Sequence, residues 1–430
     1  MQFPGSNAII DNAIPYYSGK ETKHMSRTRA TIPYAMLHGA LWALFAVISS
    51  YSSNFLYHYG FSDGQISLLL GAAMALAFAL SIGAAEAISR VPFIRTDRVM
   101  VLFGVLLMLC ACGMMLWQNR AWAAVTCFTV SFLLLQTFPA LANSLGMNAI
   151  EKGAPTVYGA ARGTGSLANS VTAYAVGLLV GRRGISVLPV FTVGLTAVFL
   201  LGVVLYHRLV ECGGYGPEKA PSAETAQREK GFLKKYPRFV LLMIGATLLC
   251  YSHNMISNFL LQVVTEKGGG PADQGAAAAA AAVSELPVMF LFPLMLKKWP
   301  GGRWMRLSVV FFAVKAVIAY FARTPEDVVL AQATQMLGFG LFNISSVAYA
   351  AEMVGSGEAV RAQSYLASTL TLGNLIAMST GGVICQYFGV QVMLAAVGIT
   401  AVLGGIFLAA EPLAARRPAQ PLQQERENNP

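Results

Sequence analysis

Apolar runs of about twenty residues, the length that crosses a bilayer's hydrocarbon core as a helix, recur twelve times in this 430-residue chain. The windows are 32–57, 65–88, 99–117, 122–146, 159–181, 185–206, 238–264, 275–296, 306–322, 328–351, 362–385 and 390–410. Hydrophobic residues make up 56% of the chain and charged residues 12%. A soluble domain carries roughly twice that share of charge, so too little polar surface exists to face water all round. The chain is expected to be an all-α membrane protein of twelve transmembrane helices. Gln136 and Pro139 interrupt the fourth window and Lys315 the ninth. Membrane bundles tolerate such breaks because neighbouring helices re-satisfy the freed groups. Residues 1–31 lack the apolar core of a cleavable signal, so the first span is expected to act as its own insertion signal.

The basic residues give the orientation. Of the 30 lysines and arginines, 23 fall in segments that share one side when both termini share it, five fall on the other, and Arg162 and Lys315 lie inside spans. Cytoplasmic loops carry the excess of positive charge. Both termini are therefore expected in the cytoplasm, in a multi-pass protein of the cytoplasmic membrane. The same distribution explains the net charge of +10 without a nucleic-acid partner. Cys110, Cys112, Cys127, Cys212, Cys250 and Cys385 show no CxxC spacing and no histidine cluster, so they read as free thiols rather than a disulfide frame or metal site. The GxxxxGK[ST] and HExxH patterns are absent from the sequence. No enzyme activity, cofactor or metal is expected.

One long internal polar stretch, 207–237, divides the spans six and six. The expected organisation is a cytoplasmic tail (1–31), a six-helix half (32–206), a cytoplasmic central loop (207–237), a second six-helix half (238–410) and a cytoplasmic tail (411–430). The halves echo each other: Phe61-Ser62-Asp63-Gly64-Gln65 opens span 2 and Pro271-Ala272-Asp273-Gln274-Gly275 opens span 8. Two parallel six-helix repeats are the plan of a large transporter class, whose substrate site lies between them near the midplane. The alanine run 276–282 reads as a small-residue face for close helix packing.

Four motifs carry a family resemblance. Ser284-Glu285-Leu286-Pro287, followed by Phe290-Leu291-Phe292-Pro293 and Lys297-Lys298, resembles span 8 of the lactose permease-like branch of the major facilitator superfamily. Tyr158 through Leu167, with Arg162, resembles its span 5 signature; Ala331-Gln332 through Phe342 resembles span 10; Gly381-Gly382 to Gly389 resembles the end of span 11. The branch includes oligosaccharide:proton, nucleoside:proton and phenylpropionate permease-type symporters. The resemblance implies a proton-coupled secondary transporter that imports a small polar organic solute by alternating access, with a sugar or oligosaccharide leading. A nucleoside or aromatic acid follows. An exporter of drugs or metabolites on the same fold, or a membrane sensor that has lost transport, are the alternatives. Partners would be the solute, protons and the lipid bilayer, in a monomer. The chain departs from the branch in having Ser89-Arg90 where Asp-Arg is usual, Lys315 for an arginine, Gln335 and Asn343 at histidine positions, and Asn143 near an aspartate position.

Ionisable groups in the bilayer core are costly and mark function by default. Glu285 lies twelve residues before Lys297, roughly 18 Å deep. Lys315 lies nine residues after Arg306, roughly 14 Å deep. The two are expected to act together in proton coupling, the other reading being a static ion pair that fixes helix register. Arg162 can clamp a carboxylate or a hydroxyl pair, or snorkel to the cytoplasm. Trp42 and His38 in span 1, and His253 and Asn254 in span 7, are candidate substrate contacts, with helix–helix bonding as the alternative. Trp42 could stack on a sugar or aromatic ring. Gln335 and Asn343, eight apart, are expected to share the cavity-facing side of span 10. Glu86, Arg90 and Glu352, near cytoplasmic ends, are candidate gate charges.

Overall fold

The computed structural model describes residues 27–91, 93–213, 231–354 and 358–414. The expectations for the N-terminal tail before residue 27, most of the central loop and the C-terminal tail beyond residue 414 fall outside the described residues. Span 1 is Arg27–Ile48 continued by Ser52–His58; spans 2 to 6 are Asp63–Arg90, Thr96–Leu116, Ala121–Glu151, Tyr158–Arg183 and Val187–Cys212. Span 7 is Pro237–Asn258 continued by Leu260–Glu266; spans 8 and 9 are Pro271–Lys298 and Gly301–Phe321. Span 10 is Pro325–Ala333, a 3-10 turn Thr334–Met336, and Phe339–Glu352; spans 11 and 12 are Ala359–Phe388 and Val390–Ala414. Each apolar window thus falls on one span, to within two residues at either end, with spans 1, 7 and 10 broken inside it.

Helices outrun their windows where polar ends leave the bilayer. Span 6 continues to Cys212 because His207 and Glu211 stay helical and meet Arg95 at the foot of span 3, Arg95 Nη2 donating to Glu211 Oε1 at 2.6 Å. Among the described residues, eleven spans are apolar and long enough to cross a membrane. Span 5 is the polar one: 26 residues rich in Gly, Ser, Thr and Asn, with Arg162 one turn from its start. Its place explains its composition, since it packs between span 1 and span 8.

The two halves repeat each other in length as well as in sequence. Spans 1 and 7 are each a 22-residue helix, a break, and a seven-residue helix. Spans 2 and 8 are both 28 residues, spans 3 and 9 both 21. A 28-residue helix rises about 42 Å, enough to clear the hydrocarbon with a turn on either side. The sequence echo marks helix starts: Gln65 Oε1 accepts from Ser62 N at 2.9 Å, and Asp273 Oδ2 accepts from Gly270 N at 2.9 Å. Each bond satisfies an amide that a helix N-terminus would leave open.

Within the first half, span 1 packs on spans 5 and 6, and span 3 on 4 and 6; within the second, span 7 packs on 11 and 12, and span 9 on 10 and 12. The halves meet along two seams, span 5 with span 8 and span 2 with span 11. Small residues let these backbones approach, as membrane helices require. On the first seam a Cβ at Gly177 would lie 2.9 Å from Gly275 Cα, and Ser170 Oγ donates to the Ala279 carbonyl at 2.9 Å. The alanine run supplies that face, Ala277 and Ala281 being buried one turn apart. On the second seam Ser67 Oγ donates to the Met378 carbonyl at 2.5 Å and accepts from Gly382 N at 3.2 Å.

Candidate functional site

A cavity of about 410 Å³ opens between the halves. Span 1 contributes His38, Leu41 and Trp42, span 4 Pro139 and Asn143, and span 5 Tyr158 and Arg162. From the second half come Asn343 and Val347 of span 10, and Gln363, Leu366, Ala367 and Leu370 of span 11. His38, Leu41 and Trp42 reach it together because positions three and four apart share a helix face. These residues occupy the halves of their spans nearer the chain termini. Beyond the cavity, hydrogen bonds close the opposite end. Gln262 Nε2 donates to Asp63 Oδ1 at 2.8 Å and to Ser53 Oγ at 3.2 Å; Gln274 Nε2 donates to the Ser50 carbonyl at 2.5 Å; Gln386 Oε1 accepts from Gly64 N at 2.8 Å. Each joins one half to the other. The cavity therefore faces the termini.

Arg162 turns inward. Its guanidinium carbon lies 4.1 Å from the centroid of the Trp42 ring, and Nη1 is buried with no hydrogen bond. A snorkelling side chain would put that atom in water. Trp42 stacks with Phe45 at 5.1 Å, and its Nε1 is likewise buried and unbonded. The indole is thus engaged as an aromatic surface by Arg162 and Phe45. Span 5 is fastened to span 1 around them: Asn169 Nδ2 donates to the Trp42 carbonyl at 3.1 Å and Thr164 Oγ1 to the Ala35 carbonyl at 3.1 Å. His38 is buried, meets Tyr34 edge-on at 4.6 Å, and neither ring nitrogen has a hydrogen-bond partner.

Glu285 and Lys315 do converge, but through a third residue. Gln335 Nε2 donates to Glu285 Oε1 at 2.6 Å, and Gln335 Oε1 accepts from Lys315 Nζ at 2.8 Å. The amide orientation is dictated by its neighbours, since a carboxylate only accepts and an ammonium only donates. Glu285 also lies within electrostatic reach of Arg162. Lys315, which is buried, and the half-buried Arg162 and Glu285 therefore form a set of three charges, two cations and one anion.

Gln335 and Asn343 do not share a face. The Thr334–Met336 segment is a 3-10 turn and the α-helix restarts at Phe339; a 3-10 turn advances 3.0 rather than 3.6 residues per turn. That shift turns Gln335 toward Glu285 and leaves Asn343 on the cavity wall. His253 and Asn254 do not line the cavity either. His253 stacks on Phe339 at 3.9 Å, and Asn254 Nδ2 is spent on the Cys250 carbonyl of its own helix at 2.7 Å. Of the gate candidates, Glu86 and Arg90 pair with each other across one exposed turn. Glu352 Oε1 accepts from Gly301 N at 2.9 Å, capping span 9.

Three polar cavity residues escaped the sequence reading of the site. Tyr158 donates to Asn143 Oδ1 at 3.1 Å, and Gln363 faces them from span 11. Tyr158 stands in the span 5 motif and Asn143 at a familiar polar position, so a signal was present for both. Asp63 and Gln274 of the far-end seal lie in the segments that betray the internal repeat. Gln262 and Gln386 carried no sequence signal beyond being polar in apolar runs.

Two six-helix halves meeting along two seams, with a polar cavity and buried charges between them, define a membrane transporter of the major facilitator fold rather than an enzyme. The chain belongs to the MFS_1 like family, whose sequence profile matches residues 34–396. No curated protein matches it. Among solved structures it is similar to a mutant of the nucleoside transporter NupG, with a TM-score of 0.67 and 12% identity over 89% of this chain and 99% of that one. It is also similar to a bacterial homologue of the human drug peptide transporters PepT1 and PepT2, with a TM-score of 0.66 and 15% identity over 91% and 100% of the two chains. An auto-inhibited peptide transporter of the POT family gives 0.63 and 11% over 93% and 99%. At these identities the likeness is one of fold.

Proposed function

We propose that this chain is a proton-coupled importer of a small polar organic solute, working by rocking of its halves around the cavity. With the termini in the cytoplasm, as the loop charges argue, the closed end faces outward and the cavity inward. The observation that carries the reading is the set Arg162, Glu285, Gln335 and Lys315 beside the cavity. Among the described residues Glu285 is the carboxylate nearest the middle of a span, 14 residues from one end of span 8 and 13 from the other. Burying a charge is tolerable only when it is paired or neutralised. A carboxylate whose cation partners can turn to a solute is one that a proton can neutralise at the moment of exchange. One fold neighbour is a transporter of nucleosides and another of peptides, so the solute class has to be read from the cavity.

The test is transport in proteoliposomes. With Glu285→Gln, accumulation driven by a proton gradient is expected to fail while solute exchange without net proton movement persists. Full gradient-driven accumulation by Glu285→Gln would end the coupling assignment.

A further inference from the structure

The cavity has two unlike walls. On spans 1 and 5 stand Arg162, Trp42 and His38; on spans 10 and 11 stand Val347, Leu366 and Leu370 with the uncharged amides Asn343 and Gln363. The first wall holds a cluster of buried polar atoms without partners: Arg162 Nη1, Trp42 Nε1 and both ring nitrogens of His38, a side chain only 1% exposed. Buried polar atoms are nearly always bonded, and each exception calls for an explanation. Three such residues side by side in a solute cavity are explained by a solute that bonds them.

The chemistry of the atoms selects the solute group. A guanidinium and an indole N–H can only donate, and a neutral imidazole always offers one N–H. The complement is an acceptor with several lone pairs. The guanidinium adds a fixed positive charge, and its planar fork matches a carboxylate. Among the described residues no acidic side chain lines the cavity; Glu285 lies beyond it, bonded to Gln335. The opposite wall carries no charge; besides the amides of Asn343 and Gln363 it presents a valine, an alanine and two leucines, which suit an apolar body. A sugar, with hydroxyls on every side, would set several of them against Val347, Leu366 and Leu370, and the Trp42 ring that might have stacked on it is already engaged by Arg162 and Phe45.

We propose that the solute is a small organic monocarboxylate, its carboxylate held by Arg162 and the Trp42 and His38 N–H groups and its apolar body lying against Val347, Leu366 and Leu370. The assignment rests on the cavity being the solute site, as argued above. It also gives coupling a physical basis. The incoming carboxylate competes with Glu285 for Arg162 and leaves Lys315, reached through Gln335, as the partner of Glu285, so binding of the solute weakens the hold on the Glu285 charge.

The experiment is equilibrium binding to the purified full-length protein in detergent, by titration calorimetry, with no gradient present. The probes are benzoate and hexanoate, the neutral isostere benzamide, phenyl phosphate, lactose and uridine. Benzoate and hexanoate are expected to bind, benzamide to lose about tenfold or more because the charge-assisted bond is gone, and lactose and uridine to give no heat. Arg162→Lys keeps the charge without the fork and is expected to weaken benzoate by about tenfold; thermal melts of the same samples confirm a folded variant. Leu366→Asn, on the other wall, should weaken hexanoate while leaving acetate unchanged. Silence from both carboxylates overturns the assignment. So does benzamide binding as well as benzoate, binding of lactose or uridine in their place, or phenyl phosphate binding while benzoate does not. The two proposals fail separately. Carboxylate binding without proton-driven uptake sinks the coupling alone, and proton-driven uptake of a neutral sugar sinks the carboxylate alone.

Discussion

Glu285→Gln is expected to destabilise the protein more than Lys315→Met, although an isolated ion pair would predict similar losses. The asymmetry follows from the count of buried charges. Arg162 and Lys315 both act on Glu285, so removing the anion leaves two cations without their counter-charge. Stripping the partner from buried charges typically costs about 3–5 kcal/mol. Removing Lys315 leaves Arg162 and Glu285 balanced. The lost attraction is modest, because the Gln335 amide stands between the charges and, with bonds of 2.6 and 2.8 Å on its two sides, spaces them roughly 8 Å apart. At an effective dielectric of about 20 that distance is worth about 2 kcal/mol. Part of it is returned, since methionine buries no ammonium. Thermal melts of the two variants and the wild type, in one detergent at one concentration, give the ranking. A lower midpoint for Lys315→Met than for Glu285→Gln would refute the three-charge reasoning and restore the isolated pair.

Other outcomes follow from the same geometry. Gln335→Leu removes two hydrogen bonds to charged groups, worth about 1.5–3 kcal/mol each, and should lower the melting midpoint even though neither charge is touched; a wild-type melt would remove Gln335 from the network. Gln262→Ala cuts the bonds to Asp63 and Ser53 that close the outer end, and should raise labelling of buried Cys385 by an impermeant maleimide; unchanged labelling would show that the seal does not depend on them. A reporter fused to the C-terminus and one inserted at Gly269 should read opposite sides of the membrane, and a shared side would overturn the orientation drawn from the loop charges. Outside the spans, the Tyr236 hydroxyl and then Lys235 hold the Glu358 carboxyl below its ordinary range. A depressed carboxyl stabilises the fold above its unfolded value and loses that contribution as pH falls through the folded one. Glu358→Gln should therefore flatten the acid side of a stability profile below about pH 5 and leave neutral pH little changed; a profile identical to wild type would refute it.

What the sequence determines by itself is whatever the bilayer judges one residue at a time. Twelve spans are legible because each backbone must satisfy its own hydrogen bonds in hydrocarbon, so a run of apolar residues is a helix whatever its neighbours do. Helix starts at Asp63 and Pro271 are legible because caps are local. Arg162, Glu285 and Lys315 stand out because a charge at depth is costly enough to need a reason. What the sequence leaves open is the company those residues keep. The spacing that put Gln335 and Asn343 on one face assumed an unbroken helix, and a three-residue 3-10 turn separated them. His253 and Asn254 looked equal to His38 and Trp42 in polarity and depth, yet one stacks on Phe339 and the other bonds its own helix. Span 5 was the least apolar segment, and only the packing between spans 1 and 8 shows why its glycines and serines belong there. Burial price is a property of a residue and its depth, whereas partnership is a property of two helices and their rotation, which only the assembled bundle fixes.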